Sequence, residues 1–194
     1  MGLCFYYSGR FNPAVSISEM ISEIEEVARA NDWKYFIFER EFPQGGFTTD
    51  YDQNIYGICF TPPECETVHF EFLSNGRMSN FFALENFGNS DDSLDREILY
   101  YNGVKTQYAG PEIHMKLIKL FKYISQKYLL DFDLYDEGEY WKTEDESILR
   151  KNFSRNQFFI DGIKAAFDKI PKGEDETPED YVKRVIETWT KEQG

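Results

Sequence analysis

Apolar side chains recur at helical spacing twice in this chain, and each time a strand-like run follows. Between Ile17 and Ala30, the residues Ile17, Met20, Ile21, Ile24, Val27 and Ala28 fall on one face of a helix. Ser16 and Glu19 stand three apart at its start, the spacing of a capping box, in which each side chain satisfies an open N–H of the first turn. Asn31-Asp32 ends the pattern, and Lys34 to Phe38 reads as an aromatic strand. Between Pro111 and Leu129, the residues Ile113, Leu117, Leu120, Phe121, Ile124 and Tyr128 repeat the helical spacing, and Pro111 suits the first helical position. Asp131 to Tyr135 follows as a strand. Tyr7-Ser8-Gly9 precedes the first helix and Tyr108-Ala109-Gly110 the second, and each reads as a turn. The pattern predicts an α+β fold, in which two β-α-β units share a mostly antiparallel sheet with both helices on one face.

The period changes to two between these units. Ile55 to Thr61 reads as a strand ended by Pro62-Pro63. In the next strand, Thr67 to Leu73, the apolar Val68, Phe70 and Phe72 alternate with His69 and Glu71. Asn75-Gly76 signals a tight hairpin, with Arg77 to Phe82 as the returning strand. Residues 85–95 are polar and read as a loop. Ile98–Tyr101 and Val104–Tyr108 read as strands joined at Asn102-Gly103. Beyond Trp141, Thr143 and Glu146 have capping-box spacing and open a third helix to about Ile170. After the acidic connector 171–176, Thr177-Pro178 opens a fourth helix with Tyr181, Val182, Val185, Ile186 and Trp189 inward. The expected division is a sheet domain over 1–141 and a helical appendage over 142–194 packed on it.

Composition sharpens this picture. With 18 Phe and 13 Tyr among 194 residues, an aromatic core needs no metal or disulfide to hold it, since a chain of this size buries about 70% of its unfolded surface. The net charge of −14 repels nucleic-acid phosphates and anionic lipid, and attracts basic partners. Cys4, Cys59 and Cys65 make an odd number, which argues against a disulfide framework and suits a reducing compartment. Neither a signal peptide nor an apolar run of spanning length is visible. The expected location is the cytoplasm, with no membrane or nucleic-acid partner.

Charge also separates the two central helices. Glu19, Glu23, Glu25 and Glu26 outweigh Arg29 on the first, whereas Lys116, Lys119, Lys122 and Lys127 outweigh Glu112 on the second. Side by side, their rims attract, although exposed pairs are each worth only ~0–1 kcal/mol.

Candidate chemistry is sparse. Walker and dinucleotide motifs and a nucleophile elbow are absent, and Gln44-Gly45-Gly46-Phe47 is too short for a phosphate cradle. Cys59, Cys65 and His69 have the spacing C-x5-C-x3-H, with Glu71 as an available fourth ligand, but this matches no known zinc knuckle. The expectation is therefore no metal and no cofactor. His69 and Glu71 share one strand face, where a carboxylate can orient an imidazole for general-base work, and Cys59 is the available nucleophile. His114, in the first turn of its helix, reads as a neutral structural histidine. Asp131, Asp133, Asp136, Glu137 and Glu139 form an acidic run without the ligand order of a calcium-binding loop. With Tyr135, Tyr140 and Trp141 beside them, Asp133, Glu137 and Glu139 are the expected binding residues, since aromatics concentrate at binding hot spots.

The stretches Ile58-Cys59-Phe60-Thr61-Pro62-Pro63, Tyr108-Ala109-Gly110-Pro111-Glu112-Ile113-His114 and Asp136-Glu137-Gly138-Glu139-Tyr140-Trp141 resemble those of an uncharacterised bacterial α+β protein family. The resemblance covers most of residues 1–150 and implies no activity or site. In size, acidity and fold class the chain is also similar to small acidic immunity proteins, which neutralise toxins, with no shared motif. The leading expectation is a non-enzymatic module that holds a basic protein partner. The alternatives are a hydrolase or metal-dependent enzyme using His69, Glu71 and Cys59, and a small-ligand binder with an aromatic pocket.

Overall fold

The computed structural model describes residues 2–192. In chain order these form β1 (Cys4–Phe11), α1 (Ile17–Ala30), β2 (Lys34–Ile37), β3 (Tyr56–Thr61), β4 (Val68–Phe72), β5 (Met78–Ser79), α2 (Phe81–Phe87), α3 (Ser93–Ile98), β6 (Asn102–Lys105), α4 (Gly110–Tyr128), β7 (Leu129–Asp136), α5 (Tyr140–Thr143), α6 (Glu146–Lys169) and α7 (Pro178–Glu192). The class is α+β, and every named strand pairs antiparallel with its neighbours.

The expected single sheet is two sheets, of order β6-β1-β7 and β2-β3-β4-β5. The first β-α-β unit does not close within one sheet: β1 lies between β6 and β7, while β2 pairs with β3. Nor is Tyr7-Ser8-Gly9 a turn. It lies inside β1, where the register against β7 shifts between Ser8 and Arg10, and the missing Cβ of Gly9 gives way to Phe132. The real connection to α1 is at Asn12, whose Oδ1 accepts from the N–H of Ala14.

Other boundaries moved for local reasons. Only Met78–Ser79 of the expected strand 77–82 is extended, because the Asn80 side chain accepts from the N–H of Ala83 (2.9 Å) and starts α2. Asp92 caps α3 within the expected loop. Asn102-Gly103 begins β6 instead of turning a hairpin. Asp145, not Thr143, caps α6. Ser16 caps α1 as its spacing implies.

One core joins the sheets and helices. Phe5, Tyr7 and Phe11 of β1, Ile58 and Phe60 of β3, and Val68, Phe70 and Phe72 of β4 meet Met20, Ile21 and Ile24 of α1 and Leu117, Phe121 and Ile124 of α4. The Phe121 ring lies 4.6 Å from both Tyr7 and Phe70. Helices α1 and α4 touch along their charged rims, where Lys127 reaches Glu23 (2.6 Å) and Lys116 reaches Asn31 (2.9 Å). Leu149 and Phe153 of α6 complete this core, whereas its second half forms a separate cluster with α7 around Ala166, Val185 and Trp189.

A buried hydrogen-bonded lock joins α4 to the segments that follow β6 and end β7. His114 is fully buried; its Nδ1 lies 2.8 Å from Thr106 Oγ1, and its Nε2 lies 3.1 Å from Asp136 Oδ1, off the axis of a well-aligned hydrogen bond. Asp136 also accepts from the N–H groups of Gly138 and Trp141. Burial alone would raise the Asp136 pKa, but His114 and these two N–H groups outweigh it, and the net shift is downward. The folded value thus lies below that of the unfolded chain, about 3.9. The stabilisation is present above that unfolded value and is lost as pH falls through the lowered folded one. Asp136→Asn is expected to cost about 1–3 kcal/mol at neutral pH and to flatten the acid limb of a stability–pH curve from denaturant melts. Equal stability of the two proteins at neutral pH would contradict this role.

Candidate functional site

The outer face of the second sheet carries the sequence-predicted Cys59, His69 and Glu71, and strand register explains why they meet. Cys59 sits opposite His69 across β3 and β4, and Glu71 sits opposite Gly57, two positions along. Gly57 presents no side chain beside Glu71, and its φ of +125° belongs to glycine. One ligand-capable atom from each of Cys59, His69 and Glu71 lies within 4.8 Å of the others. His69 Nδ1 is 2.6 Å from Glu71 Oε1. The second oxygen, Oε2, accepts from the N–H of Phe81 (2.9 Å) at the start of α2. Glu71 is wholly buried.

The backbone of His69 is held from the other sheet. The Tyr7 hydroxyl donates to the His69 carbonyl (2.9 Å) and accepts from its N–H (3.0 Å). It thereby fills the place of a strand on this side of β4. Above the three residues lies a groove of about 490 Å³, walled by Phe36, Phe38, Phe81 and Phe82. Phe36 and Phe82 are well exposed. The Cys59 thiol is pushed up to about 12, first by burial and then by the Glu71 carboxylate. Cys59 is therefore a thiol at neutral pH and not a ready thiolate nucleophile.

Cys65 does not join them. It lies in the turn after β3, its Sγ contacts the Lys105 carbonyl at 3.6 Å, and burial raises its thiol likewise. The C-x5-C-x3-H spacing thus breaks up in space.

The expected binding residues divide between two environments. Asp133 and Tyr135 alternate outward along β7 on the outer face of the first sheet, and Glu137 follows just past the strand's end. Tyr135 pairs with Tyr6 of β1, and the rings of Tyr101, Tyr6 and Tyr135 stack at 5.6 and 6.4 Å between centroids. Tyr6 lies over Gly103, which leaves room for its ring. Tyr101 and Tyr135 are 54% and 57% exposed. Glu137 has a structural bond as well, since its Oε2 accepts from the N–H of Cys4 (2.8 Å). The Tyr6 hydroxyl is pushed up to about 12, by burial and then by Cys4 and Glu137, and so remains a neutral donor. Beside the stack a depression of about 580 Å³ is lined by the acidic Glu137 and Glu139 and equally by the basic Lys105 and Arg155. Tyr140 is buried in the core, and Trp141 is half-buried against Phe132, with the Lys122 ammonium 5.5 Å from its ring.

Tyr6 and Tyr101 were not among the sequence-predicted residues. Tyr6 was accessible to reading, because it alternates with Phe5 and Tyr7, whereas Tyr101 reaches the stack only through the pairing of β6 with β1. A further hollow of about 650 Å³ lies between residues 49–53 and α3, lined by side chains of mixed charge, among them Asp50, Arg77, Asp91 and Arg96. Among the described residues, no helix is long and apolar enough to cross a membrane. No protein-family model matches the chain, and neither the curated proteins nor the solved structures compared with it contain a match.

Proposed function

We propose that this chain is a non-enzymatic binding protein that holds a basic segment of a protein partner on the outer face of its first sheet. The observation that carries the reading is the exposed stack of Tyr101, Tyr6 and Tyr135, flanked by Asp133, Glu137 and Glu139. Tyrosine supplies large contact area with little rotamer entropy to lose, and its face accepts a lysine or arginine cation. The neighbouring carboxylates bind the same cations by charge, and the net charge of −14 speeds their approach. The same charge disfavours nucleic acid as a partner. An immunity- or antitoxin-like role is the most specific form of this reading, in the cytoplasm, a placement supported by three unpaired thiols.

The test is capture from a lysate of the source cells at low and high salt, on the wild-type chain and on one carrying Tyr135→Ala with Asp133→Asn. One basic protein retained at low salt, shed at high salt and missing from the variant is the expected result. Equal retention on both chains overturns the assigned face.

The groove on the second sheet supports a second reading, a hydrolase or metal-dependent enzyme, because Cys59, His69 and Glu71 converge there. The raised Cys59 thiol disfavours direct nucleophilic attack by that residue. The groove walls are also those of a small-ligand binder, apolar with a few convergent polar groups.

A further inference from the structure

We propose that Cys59, His69 and Glu71 form a binding site for a divalent cation of the zinc class, with a coordination position open to the groove. The inference rests on the second sheet alone, so it and the binding-face reading stand or fall separately. Three features carry it.

The first is the donor set. The Cys59 sulfur, which gives up its proton to solvent as the ion binds, one imidazole nitrogen and one carboxylate oxygen are ligands that zinc accepts, and together they bring two negative charges to balance the ion. Open zinc sites use three protein ligands and leave a fourth position for water or substrate. Counting along the sequence groups Cys59, Cys65 and His69 with Glu71 as the fourth ligand, whereas the fold sets Cys65 aside and leaves three residues beneath an open groove.

The second is distance. Ligands 2.0–2.3 Å from a tetrahedral ion lie roughly 3.3–3.8 Å from one another. The atoms of Cys59, His69 and Glu71 span 2.6 Å, between His69 and Glu71, to at most 4.8 Å. The ion inserts between His69 Nδ1 and Glu71 Oε1, which part by about an ångström to receive it. Glu71 Oε2 keeps its bond to the Phe81 N–H throughout. A ligating carboxylate whose other oxygen is held by the protein is the usual outer-shell arrangement at metal centres.

The third is rigidity. Each ligand stands on a strand of a paired ladder. The Tyr7 hydroxyl fixes the His69 backbone from behind, and the bare Gly57 leaves the space around Glu71 unobstructed. Preformed placement on strands is what a precise metal site requires. Phe36, Phe81 and Phe82 would then shield the open position from bulk water on its apolar sides.

The experiment is titration of the chelator-treated full chain with cobalt(II), followed by competition with zinc(II). One cobalt ion per chain is expected, with the visible absorption of a tetrahedral centre and a near-ultraviolet thiolate-to-metal band, both lost when zinc is added. Cys59→Ser should remove the thiolate band, and His69→Gln should weaken binding by upwards of about 100-fold, more than loss of an outer-shell partner costs. His69→Gln leaves intact the two backbone bonds to Tyr7, so it separates loss of a ligand from loss of fold, with circular dichroism as the check. Cys65→Ser and Cys4→Ser should bind as the wild type does. Absence of the thiolate band in the wild type overturns the proposal, as does its persistence in Cys59→Ser or its equal loss in Cys65→Ser.

Discussion

Gly57→Ala is expected to lower stability by on the order of 3–4 kcal/mol. Two costs combine. The residue has φ +125°, a backbone conformation that L side chains rarely adopt. A methyl group there would also overlap the carbonyl oxygen of Phe70 on the paired strand. A flexible side chain could move aside, but Phe70 is part of the β3–β4 ladder and its ring is in the centre of the core. The strain has to be relieved by shifting the ladder, and Glu71 sits directly opposite Gly57. The same substitution should therefore disturb the cluster of Cys59, His69 and Glu71. Urea denaturation of both proteins gives the difference, and an unchanged midpoint would show that the left-handed backbone at Gly57 is not needed.

Tyr7→Phe is expected to cost about 2–4 kcal/mol although it removes a single oxygen atom. That hydroxyl is buried and bonds both the N–H and the C=O of His69. Removing it leaves one donor and one acceptor of β4 unpaired, each costing about 1–3 kcal/mol when sheltered from water. The ring itself stays, with its packing on Phe121, so the loss isolates the hydrogen bonds. Amide exchange at His69 supplies the second readout: its N–H should exchange much faster in the variant than in the wild type. Unchanged protection at His69 would mean that Tyr7 does not hold the edge of β4.

What could be read from the sequence was local. Helix α1 was legible because Ser16 caps it and its apolar residues keep one period. The alternation in β4 correctly put His69 and Glu71 on the face away from the core. Helix α2 was missed because Asn80 is ambiguous: after Asn75-Gly76 it continues a hairpin equally well, until its side chain takes the N–H of Ala83. The division of the sheet was missed because nothing near Lys34 states whether β2 will pair with β1 or with β3. The bond from Tyr7 to His69 joins positions 62 residues apart, and no spacing rule reaches that far. The same limit explains the candidate residues. Asp133 and Tyr135 alternate on a strand and could be placed on one face, with Glu137 just past its end, whereas Tyr140 and Trp141 follow the turn at Gly138 and lead back toward the core.

Binding of a basic partner to the face of Tyr101, Tyr6 and Tyr135 is a proposal. Its most direct test is the affinity of the captured partner for the wild-type chain and for Tyr135→Ala, measured at low and high salt. A hot-spot tyrosine contributes about 2 kcal/mol or more, so Tyr135→Ala should weaken binding by roughly 30-fold at low salt, and raised salt should weaken both proteins. An affinity unaltered by Tyr135→Ala and by salt would contradict both the assigned face and the charge attraction proposed for it.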